Sequence, residues 1–558
     1  MHNRPFFSSL PQREWLNTTA IEHRLTNEGT LDTFDAFHTP KNGKNGKESI
    51  MDSGIPEITT ERPTYDSTKF EARAATLDKI HTRLQKAATR QMTSPLIEIV
   101  GVTWIGKTWL LNEIRARYTK ERNYKIENRF TCAALFDLET VEQESAAEID
   151  IYAWYTNFLR RFVPILEQAS GEASPPALGI LAKEDRLPLD PDELNQVLDS
   201  LKQWFANLRQ RYFPILLLDS TEKVDTPLLA WLEREILVPF VDGNQALAVT
   251  AGRQPIKWRE PEIRFYYDLI HLGPLEEWGK RKIPKWIHQE YALGHAGLAA
   301  KLYEAFDDPR IGLERAKNFA REDTAFQDKI RTLLGEAISK IVLFQVPDRD
   351  IPREQMNLQA LLWTISVLRI FNPEILQTMV NRFGPETYHG KSYMFFRQAA
   401  FNLIGAQIAA WRAGINDYRV EPLIRRIMAN AVRIVDGKEQ YLERHKTAEE
   451  WYRVALERAP STAPNKLPEL LYHVCMQVKV NEPEELSEIA LSETRAILDL
   501  GISQNDLDTL FQRFTNQDDA DLKELRKDMV EVIGDETYQE IVTALGQALR
   551  AAELVPAV

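Results

Sequence analysis

Leu96-Ile97-Glu98-Ile99-Val100-Gly101-Val102-Thr103-Trp104-Ile105-Gly106-Lys107-Thr108-Trp109 is an apolar run, then a loop with glycine at both ends, then Lys-Thr where a helix can begin. A polyphosphate needs many donors close together. Glycines at the ends of a loop let successive backbone N–H groups point inward, and the N-terminus of the following helix adds its own. Gly101 and Gly106 supply that freedom, Lys107 is expected on the β- and γ-phosphates, and the Thr108 hydroxyl is expected on Mg²⁺. Gly101, Val102, Thr103, Trp104, Ile105, Gly106, Lys107, Thr108 and Trp109 are thus the expected nucleotide-binding set, with ATP or ADP and Mg²⁺ as cofactors.

Further apolar runs follow at 133–139, 214–220 and 246–252, with 265–272 as a fifth, and helical patterns separate them. This alternation predicts an α/β domain with a parallel sheet covered on both faces. Ile215-Leu216-Leu217-Leu218 agrees, since a central parallel strand is buried on both sides. That run ends in Asp219, an anionic partner for Mg²⁺ beside the loop. Glu222, three residues on, reads either as the base that polarises the attacking water or as a solvated loop acid. The run 246–252 leads into Arg253, a cation for the γ-phosphate or an ordinary loop arginine, with Thr250 expected at the same sheet edge.

At 558 residues the chain exceeds one hydrophobic core, and 44% hydrophobic with 27% charged residues is an ordinary globular composition. The net charge of −13 opposes nonspecific binding to polyanions. Cys132 and Cys475 lack metal or redox spacing, which fits a reducing cytoplasm. No window reaches the roughly 18 apolar residues of a spanning helix, and the N-terminus lacks a signal-peptide core, so a cytoplasmic chain without membrane partners is expected. The expected organisation is a flexible arm at 1–65, a nucleotide-binding domain at 66–275, a helical lid at 276–350, a winged-helix-like domain at 351–440 and helices at 441–558. Within the fourth, KSYMFF and DYRVEP read as short extended pieces.

Together these elements resemble the STAND signalling ATPases, the class containing NACHT and NB-ARC proteins, over roughly residues 68–475. The resemblance implies an AAA+-like sheet followed by a winged-helix lid. Phe70-Glu71-Ala72-Arg73 is similar to the segment bordering the adenine, with only Arg73 matching. Asp219-Ser220-Thr221-Glu222 is similar to the Asp-x-x-acid form of the second phosphate-site motif, and Arg253 to the arginine closing the sensor strand. Gly294-His295-Ala296-Gly297-Leu298 resembles a Gly-His-Pro-Gly turn, with Ala296 where proline stands. His445, Ala448, Trp451 and Tyr452, then Glu469, Tyr472 and His473, are similar to helical segments beyond the lid; as residues alone they read as packing groups.

The resemblance implies a slow ATPase switch, closed with ADP and open with ATP, with a protein partner or self-association on activation. Two alternatives stand beside it. One is a DNA-binding regulator using Arg412, Arg419, Arg425, Arg426 and Arg433, and the other a remodelling ATPase that turns over continuously. No H-E-x-x-H or G-x-S-x-G pattern suggests a second catalytic centre.

Overall fold

The computed structural model describes residues 65–553, apart from 66–69, 71–72, 90–94, 127, 143–150, 184–187, 225, 243–245, 276–284, 307–316, 318–323, 339–352, 407, 413–416, 482 and 517–519. The expected N-terminal arm therefore lies outside the described residues, except for Tyr65.

Six strands form the first sheet: β1 (Leu96–Val100), β2 (Lys125–Ile126), β3 (Arg129–Asp137), β4 (Tyr212–Asp219), β5 (Leu247–Gly252) and β6 (Tyr267–His271). Their order is β2-β3-β4-β5-β1-β6, with every pairing parallel except that of the short edge strand β2. The expected strands are all present. β3 starts at Arg129, because pairing with β4 from Phe130 onward recruits residues that have no apolar pattern of their own.

Helices cover both faces. Ala134, Phe136, Leu216, Leu218 and Ala248 share one apolar cluster with the helices Ile151–Ser170 and Pro191–Arg211. The second helix is strongly specified: Asp190 accepts from the N–H groups of Asp192 and Glu193, Pro191 opens it, and Leu194, Leu201, Trp204, Phe205 and Leu208 lie on its buried stripe. Helix Lys107–Arg117 packs on β3, β4 and β5, and its buried Leu110, Leu111 and Ile114 lie outside that cluster, so it covers the opposite face.

Beyond the sheet the chain is mainly helical. Helices Arg353–Ile365, Pro373–Phe383 and Tyr393–Gly405 surround a second sheet of β7 (Ile370–Phe371), β8 (Ala409–Arg412) and β9 (Asp417–Val420), antiparallel in the order β7-β9-β8, a winged-helix-like arrangement. DYRV is a strand as expected. KSYMFF is not extended: Ser392 precedes a helix on which Phe396, Ala399, Ala400 and Leu403 are buried at helical spacing. An aromatic run suits either state, and burial chose the helix. The helix expected at 328–346 runs from Thr324 to Ala337, and its expected end lies outside the described residues.

Among the described residues seven α-helices follow, from Pro422–Val435 to Asp535–Glu553. An ion network ties them to the small sheet. Arg425 donates to the Tyr472 hydroxyl at 2.7 Å and to Asp528 at 2.9 Å, and Arg369 lies 3.6 Å from both Asp528 and Glu469. Both guanidiniums lie over the Tyr472 ring, and all five residues are buried. His445 and His473 meet Nδ1 to Nδ1 at 2.9 Å, so one must donate and the other accept. Burial, reinforced by Arg425, pushes His445 down to about 3; burial also drives His473 well below its usual value.

Candidate nucleotide site

β1 ends at Val100, and the chain turns through the glycine loop into helix Lys107–Arg117. The turn needs left-handed backbone at Trp104 (φ 56°) and at Gly106 (φ 102°), and only the second is glycine. Gly101 sits in a tight place, since a Cβ there would lie 3.0 Å from the carbonyl of Leu272 and 3.0 Å from the Ile105 side chain. Lys107 is buried, and its ammonium donates to the carbonyls of Gly101 at 2.7 Å and Val102 at 2.9 Å, across the mouth of the loop. Val102, Thr103, Trp104, Gly106, Thr108 and Trp109 are half-buried; Ile105 is fully buried and anchors the loop. Trp109 meets the Tyr65 ring edge-on, and the Tyr65 hydroxyl donates to Glu113.

Because β1, β3, β4 and β5 are parallel, their C-terminal ends share one edge with the loop. Asp219 ends β4 there, buried, and accepts from the N–H of Ser220 at 2.9 Å. Asp137 ends β3 in register with Asp219. It escaped the sequence reading, although the run AALFD carried the same signal of an acid closing an apolar strand. β5 lies between the strand that feeds the loop and the strand that ends in Asp219, so the residues after β4 and β5 emerge at the same edge beside the loop.

Those residues are packed tightly. Ser220 adopts φ 61°, the Thr221 hydroxyl donates to the carbonyl of Ala251 at 3.3 Å, and a Cβ at Gly252 would sit 2.2 Å from that hydroxyl. This contact brings Glu222 and Arg253 together at 3.4 Å, both nearly buried. Thr250 is not at the edge. It lies level with Glu98 and Leu218, two residues before the end of β5 at Gly252 and one rung below Asp219, and its hydroxyl has no hydrogen-bond partner among the described residues.

Glu98, in the middle of β1, was also missed, because a lone acid in an apolar run gives no signal of its role. Its carboxylate accepts from the Ile256 N–H at 2.6 Å and the Trp258 indole at 3.1 Å, and Glu233 accepts from the N–H groups of Arg259 and Glu260. Two buried acids thus hold the segment that follows Arg253. Burial raises Glu98 to about 7 against the pull of those two donors.

Three further groups reach the loop from outside. Arg73, itself at φ 66°, donates to the carbonyls of Ile105 at 3.2 Å and Gly273 at 2.8 Å. His295 is fully buried; its Nδ1 accepts from the Leu298 N–H at 3.0 Å, which leaves Nε2–H to donate to the Thr103 carbonyl at 2.9 Å. Burial lowers this imidazole to about 4, so it stays neutral. The Gly297 N–H donates to the Trp104 carbonyl at 3.0 Å.

The basic stripe 412–433 separates in space. Arg425 is consumed by the ion network, Arg426 faces Asp528 and Glu531, and Arg433 donates to Asn430. Arg412 is exposed at the end of β8, and its charge helps lower His271 on β6 after burial. Among the described residues no His, Cys, Asp or Glu group of metal-site type occurs, and no helix is long and apolar enough to cross a membrane.

No protein-family model and no curated protein matches the sequence. Among solved structures, the ORC2 protein of Aeropyrum pernix, with ADPNP and ADP, aligns over 68% of this chain and 97% of its own at 12% identity and a TM-score of 0.37. Cdc6p from Pyrobaculum aerophilum aligns over 67% and 97% at 14% identity and a TM-score of 0.30. Drosophila ORC bound to DNA aligns over 71% and 96% at 14% identity and a TM-score of 0.29. Likeness at this level assigns no activity to this chain.

Proposed function

We propose that this chain is an ATP-binding, slowly hydrolysing switch whose nucleotide sits at the C-terminal edge of the first sheet. The observation that carries this reading is the meeting, at one edge, of the Gly101–Thr108 loop with buried Lys107 and of the buried Asp219 that ends β4. The donor set fits a nucleotide: loop N–H groups and Lys107 for the phosphates, and the Thr108 hydroxyl and Asp219 carboxylate for Mg²⁺. Mg²⁺, when bound, neutralises charge on the β- and γ-phosphate oxygens.

The chain's own residues then divide the work. Lys107 leaves the carbonyls of Gly101 and Val102 for phosphate oxygens. Glu222 accepts a proton from the attacking water, and Arg253 exchanges its ion pair with Glu222 for the γ-phosphate, which frees the carboxylate only when that phosphate is present. The helical segment expected at 276–350 and the winged-helix-like unit expected at 351–440 act as the lid. A partner protein or a second copy of the chain completes activation, since a ligand shifts such an equilibrium only by its differential affinity for the two states.

Calorimetry with ADP and ATP tests the site. Wild type should bind both, and Lys107→Ala should lose roughly a hundredfold in affinity with its melting temperature unchanged, because a desolvated cation on phosphate is removed while the fold keeps its core. Equal binding by the folded variant rules out the assignment. Small-angle scattering with ADP, with ATP and with ATP plus Glu222→Gln tests the switch, and identical profiles in all three leave a constitutive ATPase.

A further inference from the structure

Three consecutive carbonyls of the glycine loop accept a hydrogen bond from a different donor each. Thr103 accepts from His295 Nε2, Trp104 from the Gly297 N–H, and Ile105 from Arg73. The donors come from two places far apart in sequence. Arg73 immediately precedes helix Ala74–Ala88, and His295 and Gly297 belong to the turn that opens helix Ala296–Phe306.

A trans peptide holds its C=O and N–H antiparallel. Pulling the carbonyls of Thr103, Trp104 and Ile105 away from the cradle therefore aims the N–H groups of Trp104 and Gly106 toward it, while the Ile105 N–H donates to the Val102 carbonyl at 3.4 Å and closes the turn. Without those donors each of these peptides can rotate about its flanking φ and ψ, because left-handed Trp104 lies in a sparsely populated conformation and Gly106 has no Cβ to restrict its own.

The turn carrying His295 and Gly297 is made for close approach. Leu293 (φ 48°) and Gly294 (φ 84°) reverse the chain, and a Cβ at Gly294 would sit 2.6 Å from that of Pro274. A Cβ at Gly297 would sit 2.7 Å from the Trp104 Cβ and 3.1 Å from the very carbonyl its N–H serves. His295 is pinned from its other nitrogen by Leu298, so its donor direction is set before any ligand arrives.

We propose that Arg73, His295 and Gly297 form an outer shell of positioning residues that orients the loop peptides for phosphate and couples loop occupancy to helix Ala296–Phe306. This deepens the nucleotide reading above and rests on it for the ligand. In this shell Arg73 and the Gly294–Leu298 turn act on the back of the loop, and their contribution to affinity passes through peptide orientation.

Two substitutions at one position separate the shell from simple packing. His295→Asn keeps an acceptor for the Leu298 N–H but cannot reach Thr103; His295→Gln keeps an N–H at the reach of Nε2. In the full chain, titrated with ADP, the Asn variant should bind about tenfold more weakly, the worth of one well-made hydrogen bond, and the Gln variant within about threefold of wild type. Hydrogen exchange read on peptides covering 101–109 and 296–306 supplies the second measurement. Without nucleotide, 101–109 should exchange faster in the Asn variant than in wild type. ADP should protect 296–306 in wild type and in the Gln variant, but not in the Asn variant.

Wild-type affinity in the Asn variant, or equal losses in both variants, overturns the shell. If wild type binds no ADP, the nucleotide reading fails. The unliganded exchange of 101–109 then decides the shell alone: unchanged exchange in the Asn variant sinks it, and faster exchange upholds it.

Discussion

The sheet edge around Lys107 and the helical network around Arg425 both gather buried or nearly buried charge, yet they are built in opposite ways. In the network, Arg369, Arg425, Glu469 and Asp528 answer one another across elements distant in sequence, and the pairs lie within buried surroundings. At the edge, Lys107 donates to carbonyls of its own loop, and Glu222 and Arg253 face each other where the loop residues are only half-buried. Charge that neutralises other fixed charge holds a structure together. Charge held by exchangeable backbone partners, beside a row of N–H groups, remains able to take a ligand.

The contrast is sharpest for Arg425→Ala. It removes the donor to the Tyr472 hydroxyl and the shortest partner of Asp528, which keeps only its longer contacts with Arg369 and Arg426, and removing one partner of a buried pair costs up to about 3–5 kcal/mol. The loss should appear in urea unfolding, with ADP affinity of the folded fraction unchanged. A stability close to that of wild type would mean that Arg369 and Arg426 suffice to hold Asp528.

Glu222→Gln should act in the reverse sense. ATP affinity and unfolding should stay near the parent values, while the single-turnover rate falls by about a hundredfold, as expected for loss of a general base. Hydrolysis at the parent rate would place the base elsewhere on the edge.

The smallest effect is in pH dependence, where the two regions pull against each other. His445 and His473 are depressed, so the stability they carry is present above the unfolded value near 6.5 and is lost as pH falls below it, for His445 toward about 3. Glu98 is raised to about 7, so its share is complete below the unfolded carboxylate range and is lost as pH rises through about 7. Between about pH 4.5 and 6.5 the slopes oppose, each at most about 1.4 kcal/mol per pH unit per proton. Glu98→Gln should therefore steepen the rise of stability with pH in that window. An unchanged slope in urea titrations at pH 5, 6 and 7 would mean that Glu98 is ionised throughout.

Several elements were readable before any contact was known. The loop, the strands and the acid closing β4 follow from local composition: glycine spacing, continuous apolar runs and a carboxylate at a run's end are chemical necessities of neighbouring residues. KSYMFF misled for the same reason, because aromatics fit strand and helix alike until Phe396 and Leu403 are buried on one stripe. The arginines could not be told apart in sequence. Arg412, Arg425 and Arg426 look equivalent along the chain, yet one is exposed, one is sealed with Asp528 and Tyr472, and one is turned toward Asp528 and Glu531.

The sequence by itself determined that a phosphate-type loop would sit between a buried strand and a helix, since every residue of that signal lies within fourteen positions, 96–109. Only the tertiary structure decided which groups stand behind the loop and which acids pin the segment after β5. Arg73, His295 and Gly297 meet the loop carbonyls, and Glu98 meets Ile256 and Trp258, across separations that local pattern does not encode. Hydrogen-bond partners of that kind are selected by the packing of whole elements, because a donor becomes necessary only once burial has removed the water that would have served instead.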